Sequence, residues 1–131
     1  MKLFNLFKRK RTDQNPEHRS VWKTFSDPDE IRTLLEKSKD RPQLIYKHSN
    51  RCSVSFITKD ELDSNAEKMN QFADLYIVDV IRQRDISNAV TSLLKIRHES
   101  PQALLIKDEN IVWKGSHWEV NSQEILSCLK Q

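Results

Sequence analysis

A chain of 131 residues, 37% hydrophobic and 31% charged, has room for one domain with a core of its own. Its net charge of +3 comes from residues 1–11, where Lys2, Lys8, Arg9, Lys10 and Arg11 stand without an acid; the remainder is slightly acidic, which excludes a nucleic-acid binder built on basic excess. Two cysteines, Cys52 and Cys128, are too few for a disulfide scaffold, no apolar run reaches membrane-spanning length, and nothing reads as a cleaved secretory signal, so a cytoplasmic protein is expected.

Residues 1–20 read as a basic, disordered tail. Leu3, Phe4, Leu6 and Phe7 run directly into Lys8–Arg11, which also fits a weak anchor on anionic lipid; the patch is short, and the leader reading is preferred. Residues 21–131 form the folded domain. Val21, Trp22 and Phe25 make a short extended segment over one end of the core. In Asp27-Pro28-Asp29-Glu30, Asp27 suits an N-cap, Pro28 the first helical position, and Glu30 closes a capping box. Ile31, Leu34 and Leu35 then recur at helical spacing, and Pro42 follows a basic end, giving a helix over about 28–38.

Gln43–Tyr46 is the first expected strand, and a polar turn leads to Cys52. A helix runs from about Ser53 to Gln71, with a possible break near Asp63-Ser64-Asn65 and with Val54, Ile57, Leu62, Ala66 and Met69 facing inward. Leu75–Ile81 is a near-continuous apolar run, the mark of a parallel strand covered on both faces. Ser87 or Asp85 caps a third helix carrying Ala89, Val90, Leu93, Leu94 and Ile96. Gln102–Ile106 and Ile111–Lys114 pair as a hairpin around Lys107–Asn110. Gly115, the only glycine, ends that strand, and Asn121 with Glu124 caps a last helix with Ile125, Leu126 and Leu129 inward. The order α-β-α-β-α-β-β-α fits an α/β domain with a mixed four-stranded sheet, two parallel strands plus a hairpin, and helices on both faces: the thioredoxin-like arrangement.

Chemistry in that arrangement sits at the carboxyl end of the first strand, where Cys52 falls. A helix beginning there points free N–H groups and a positive dipole end at the sulfur, and Arg51 adds a cation. Both favour thiolate, so the thiol pKa is expected below its ordinary value of about 8.5. Ser55 stands where a dithiol motif has its second cysteine. Serine can donate a hydrogen bond to a thiolate but forms no disulfide, which makes this a monothiol pattern; a carbonyl-capping role for Ser55 stays open beside it. Ser100-Pro101 precedes the hairpin, where thioredoxin-like proteins have a cis proline lying against the reactive sulfur.

The stretches Lys47-His48-Ser49-Asn50-Arg51-Cys52-Ser53-Val54-Ser55 and His98-Glu99-Ser100-Pro101-Gln102, with Asp79 and Arg84-Asp85-Ile86-Ser87-Asn88 between them, resemble the signatures of the YtxJ-type monothiol bacilliredoxins over about residues 21–127. The departure is Ser53, where the familiar form has Cys-Pro-Ile-Ser. The resemblance implies a thiol-disulfide oxidoreductase that removes bacillithiol, a small thiol used in place of glutathione, from protein mixed disulfides through a Cys52-S-bacillithiol intermediate. Cys52, Ser55 and Arg51 are then the catalytic residues, and His48, Ser49, Ser100 and Pro101 contact substrate. Beside these roles, a solvated turn residue stays open for Arg51 and a hydrogen-bonded strand end for His48. Bacillithiol is a co-substrate; no bound cofactor or metal is expected, since the spacing of His48, Cys52, His98 and His117 matches no closed zinc site. The expected partners are bacillithiolated client proteins, and the chain is expected to be a monomer. Cys128 reads as a core-packing residue. Alternatives of other classes are a non-catalytic thioredoxin-like adaptor and an iron–sulfur carrier like the monothiol glutaredoxins, whose Cys-Gly-Phe-Ser differs from Cys-Ser-Val-Ser here.

Overall fold

The computed structural model describes residues 20–131; the tail expected over residues 1–20 lies outside them, apart from Ser20. In order the elements are β1 (Trp22–Lys23), α1 (Glu30–Lys37), β2 (Gln43–His48), α2 (Ser53–Ser64), α3 (Ala66–Asn70), β3 (Asp74–Asp79), α4 (Arg84–Leu94), β4 (Gln102–Lys107), β5 (Asn110–Ser116), a 3₁₀ turn (His117–Glu119) and α5 (Ser122–Leu129). One sheet holds all the strands in the order β1-β3-β2-β4-β5. β1 and β2 run parallel to β3, whereas β4 is antiparallel to both β2 and β5.

Side chains alternate across each strand, and both faces of this sheet are covered, which is why its central strands read as apolar runs rather than alternating ones. Leu44, Tyr46, Leu75, Ala103 and Leu105 face α2, α3 and α5, packing with Leu62, Met69, Ile125 and Leu126. Ile45, Tyr76, Val78, Leu104 and Ile106 face α1 and α4, packing with Ile31, Leu34, Ile86 and Val90. The expected thioredoxin-like layering is present, with one correction: the sheet has five strands, not four. The segment read as a cover is in part a strand, Trp22 and Lys23 pairing with Leu75 and Tyr76. Two residues are too short to show a period in sequence; the free edge of β3 recruits them. The Trp22 indole N–H then reaches the Asp63 carboxylate at 2.7 Å, tying this edge to α2.

The long helix does break where its polar run sits: α2 ends at Ser64 and α3 begins at Ala66. A second correction concerns its inward face. Ile57 points outward at 54% exposure, beside Phe56 at 49%; the buried positions of α2 are Ser55, Thr58 and Leu62. Leu62 is inward as expected. In the first two turns, however, burial falls one residue later, on Ser55 and Thr58 in place of the half-buried Val54 and the exposed Ile57, because the Ser55 and Thr58 oxygens find partners there. The hairpin turn is tighter than the four residues expected. Asp108 and Glu109 alone form it, both at positive φ, and their N–H groups are taken by the Ser38 carbonyl and hydroxyl at 2.9 Å each.

Candidate active site at the head of α2

Cys52 is the residue before the first turn of α2, with an extended backbone (φ −119°, ψ 117°). Its N–H donates to the Ser49 carbonyl at 3.2 Å, and its own carbonyl accepts from Ser55 at 3.1 Å. The chain thus turns sharply between strand and helix and leaves the thiol half-exposed. The thiol pKa lies below its ordinary value. The largest cause is the Ser55 backbone N–H; partial desolvation opposes it, and the Val54 N–H and Ser55 hydroxyl add to it. These are the orphan donors of a helix start acting on a sulfur anion. Arg51, expected to share this role, is exposed and is not among the groups that lower the pKa.

Ser55 is fully buried. Its hydroxyl faces the sulfur and also accepts the Ser49 N–H at 3.2 Å, so one side chain braces the turn and donates to the thiolate. Beneath it lies a residue that the strand pattern marked only as core. The Tyr46 hydroxyl donates to the Ser55 carbonyl and pairs with the Thr58 hydroxyl, both at 2.7 Å. Burial pushes the Tyr46 pKa up to about 12, so it stays a neutral donor holding the first turn of α2 to the sheet. The residue spacing gave no sign of this network, since it placed Ile57 rather than Thr58 inward.

Around the turn, His48 is buried; its Nε2 lies 3.0 Å from Asn50 Oδ1, and its ring meets Phe56 edge-on at 4.9 Å. The Asn50 amide donates to Asp79 at 3.2 Å. Asp79 also accepts the N–H groups of Ile81 and Arg82 at 3.0 and 2.9 Å, which stitches the loop after β3 to the Cys52 turn. Ser49 is buried too, its hydroxyl accepting the Arg51 N–H at 3.3 Å. These side chains shape the turn.

The Ser100–Pro101 peptide bond is cis, as expected. Lys47 pairs across the sheet with Gln102, so Ser100 and Pro101 stand at the same end of the sheet as the Cys52 turn. The Ser100 hydroxyl is buried without a protein partner. The Pro101 carbonyl accepts the His117 N–H at 2.9 Å, holding the 3₁₀ turn that presents the exposed Trp118. Six of the expected site residues therefore sit on one turn and its helix or at the head of β4; Arg51 shares the turn without touching the thiol's charge. Cys128 is half-buried on α5, packed against the core and unpaired. Among the described residues, no three of His, Cys, Asp and Glu converge as metal ligands.

The architecture agrees with that of known proteins. A candidate oxidoreductase with a thioredoxin fold, of known structure, is 23% identical, with 85% of this chain and 95% of that chain covered and a TM-score of 0.72. Thioredoxin O2 of Arabidopsis thaliana is 19% identical, with 86% and 95% covered and a TM-score of 0.65. The thioredoxin Mala s 13 of Malassezia sympodialis is 14% identical, with 86% and 91% covered and a TM-score of 0.65. At these identities the likeness is one of fold. The family model described as monothiol bacilliredoxin BrxC matches residues 23–125, a span that includes the Cys52 turn, Ser55 and the cis proline. The chain belongs to the monothiol bacilliredoxin family.

Proposed function

We propose that the protein removes bacillithiol from protein mixed disulfides. The observation that carries this reading is the pairing of a helix-head thiol of lowered pKa with a buried serine at the position of a second thiol. In the first step the Cys52 thiolate attacks the bacillithiol sulfur of the adduct. A bond forms between Cys52 Sγ and that sulfur, the client–bacillithiol bond breaks, and the client leaves as a thiolate that takes a proton from water. In the second step the thiolate of another bacillithiol attacks the same sulfur. Bacillithiol disulfide departs and the Cys52 thiolate returns. No net oxidation occurs at Cys52: the client sulfur is reduced to a thiol, and the one incoming bacillithiol is oxidised as it joins the bacillithiol that the adduct already held at the disulfide level. The Ser55 and Val54 donors stabilise the sulfur anion at both ends of the cycle.

The test is intact mass after incubation with a bacillithiolated protein. Wild type should release the client thiol and gain one bacillithiol; Cys52→Ala should do neither. Equal behaviour of the two forms rejects the reading and leaves a thioredoxin-like adaptor.

A further inference from the structure

Lys47, on the central strand β2, is 0% exposed. Strand alternation places it on the same face as Ile45, over α4, and its ammonium donates to the Thr91 hydroxyl at 3.2 Å and to His98 Nδ1 at 3.1 Å. Neither partner is an anion. A buried ammonium ordinarily has a carboxylate beside it, because desolvating a lone charge is costly. His98, itself exposed, forms one wall of a cavity of about 320 Å³ completed by Val80, Ile81, Arg84, Ser87 and Asn88. Arg84 and Lys47 both push the His98 pKa down, after burial itself. Arg84 is thus the charged base of the cleft wall, His98 stands beside it with Lys47 behind, and Arg84 has no ion-pair partner among the described residues.

Among the nearby acids, Glu99 acts on His98 from beside it but is itself held by the Ser116 side chain. Asp79 is turned toward Asn50 and its own loop N–H groups, and Asp85 accepts from Ile86. The cleft is also tied to the end of the strand that leads to the thiol. Val80, in its wall, donates its N–H to the His48 carbonyl at 3.0 Å, and His98 lies on the segment that leads to Pro101. It is therefore bounded by the loop after β3, the first turns of α4 and the segment before Pro101, at the end of the sheet where the Cys52 turn stands.

We propose that this cleft is an anion subsite that receives a carboxylate of the small-thiol half of the disulfide substrate. The class of anion rests on the bacillithiol reading, since that thiol carries carboxylates; the positive cleft does not. Arg84 offers a planar fork suited to a carboxylate, and His98 and Asn88 offer further donors. Lys47 acts from behind as a fixed positive charge that gains, in the loaded state, the counter-ion it otherwise lacks.

Two measurements test it. First, the Cys52→Ser protein is titrated with malate, a small dicarboxylate, and followed by amide NMR. Saturable shifts at Arg84, Ser87, Asn88 and His98 are expected, weakening with salt and absent in Arg84→Gln. No shift at those residues, or the same shifts in Arg84→Gln, overturns the subsite. Second, Cys52 is offered an amidated peptide without Asp or Glu, bacillithiolated on its one cysteine, and in parallel the neutral hydroxyethyl disulfide. The ratio of the two rates should fall roughly tenfold in Arg84→Gln, the size of one charge-assisted contact; an unchanged ratio counts against the subsite. A wild type that binds malate in the cleft yet leaves the bacillithiolated peptide untouched would retain the subsite and remove the bacillithiol reading.

Discussion

Ser55 binds together the parts of the site that a redox cysteine needs. Its backbone N–H and hydroxyl both act on the thiol, its hydroxyl holds Ser49, and its carbonyl takes the Tyr46 hydroxyl. Ser55→Ala should raise the Cys52 pKa, seen as an upward shift of the thiolate absorbance titration. It should also cost about 1–2 kcal/mol of stability, because the buried Ser49 N–H loses its acceptor. A variant with an unmoved titration would leave the hydroxyl as a brace alone. Lys47 gives a second residue-level expectation. Burial lowers its pKa from 10.5 to about 8, so the folded state holds this proton less tightly than the unfolded chain. The resulting cost is complete below pH 8 and disappears as the pH rises from about 8 to 10.5. Lys47→Met should accordingly unfold at higher denaturant near pH 7, by about 1–2 kcal/mol after allowing for its lost hydrogen bonds. That advantage should shrink by pH 10, and unfolding curves at the two pH values check both parts.

Among the elements, α2 shows most clearly where sequence patterning succeeds and where it fails. Its start at Ser53, its break at Asn65 and the placing of Cys52 before its first turn were all legible, because turn residues and the resumption of helical spacing mark them. Its inward face was legible only at Leu62. The spacing rule assigns the core to Ile57, yet Ser55 and Thr58 lie inside, each with hydrogen-bond partners beneath the helix. Lys47 escaped for a related reason: strand alternation sends it inward, but its charge argues the other way, and only the Thr91 and His98 partners resolve the conflict. The cis proline and Cys52 were found because their chemistry is local to a motif. Tyr46 was missed because its role depends on α2 lying over β2. At the other end of the site, Gly115 has an ordinary φ, but an added Cβ there would come within 2.7 Å of the Trp113 ring and 2.9 Å of the Glu119 carbonyl. Gly115→Ala should therefore displace the 3₁₀ turn and destabilise by about 1–3 kcal/mol. Near-ultraviolet circular dichroism of the tryptophans, with a melting curve, would show both effects or neither.

For the whole molecule, the strand order puts β2 between β3 and β4 with helices on either face, so the strand that delivers Cys52 is the most enclosed in the sheet. Hydrogen exchange should be slowest in β2 and β4 and much faster in the two-residue edge β1; an equally slow β1 would contradict this ranking. The layer plan was readable from element order, whereas the extra edge strand arises only once β3 has a free side. A rigid platform under a half-open thiol suits exchange chemistry, in which the sulfur must be presented without the fold opening. Having a hydroxyl where a second sulfur might sit also has a consequence outside the molecule. Once an adduct occupies position 52, nothing within the motif can discharge it, so on the proposed cycle the loaded form waits for a free small thiol to arrive. When that pool runs low the protein stalls in its capped state, and the capped fraction becomes a gauge of how well the cell is supplied.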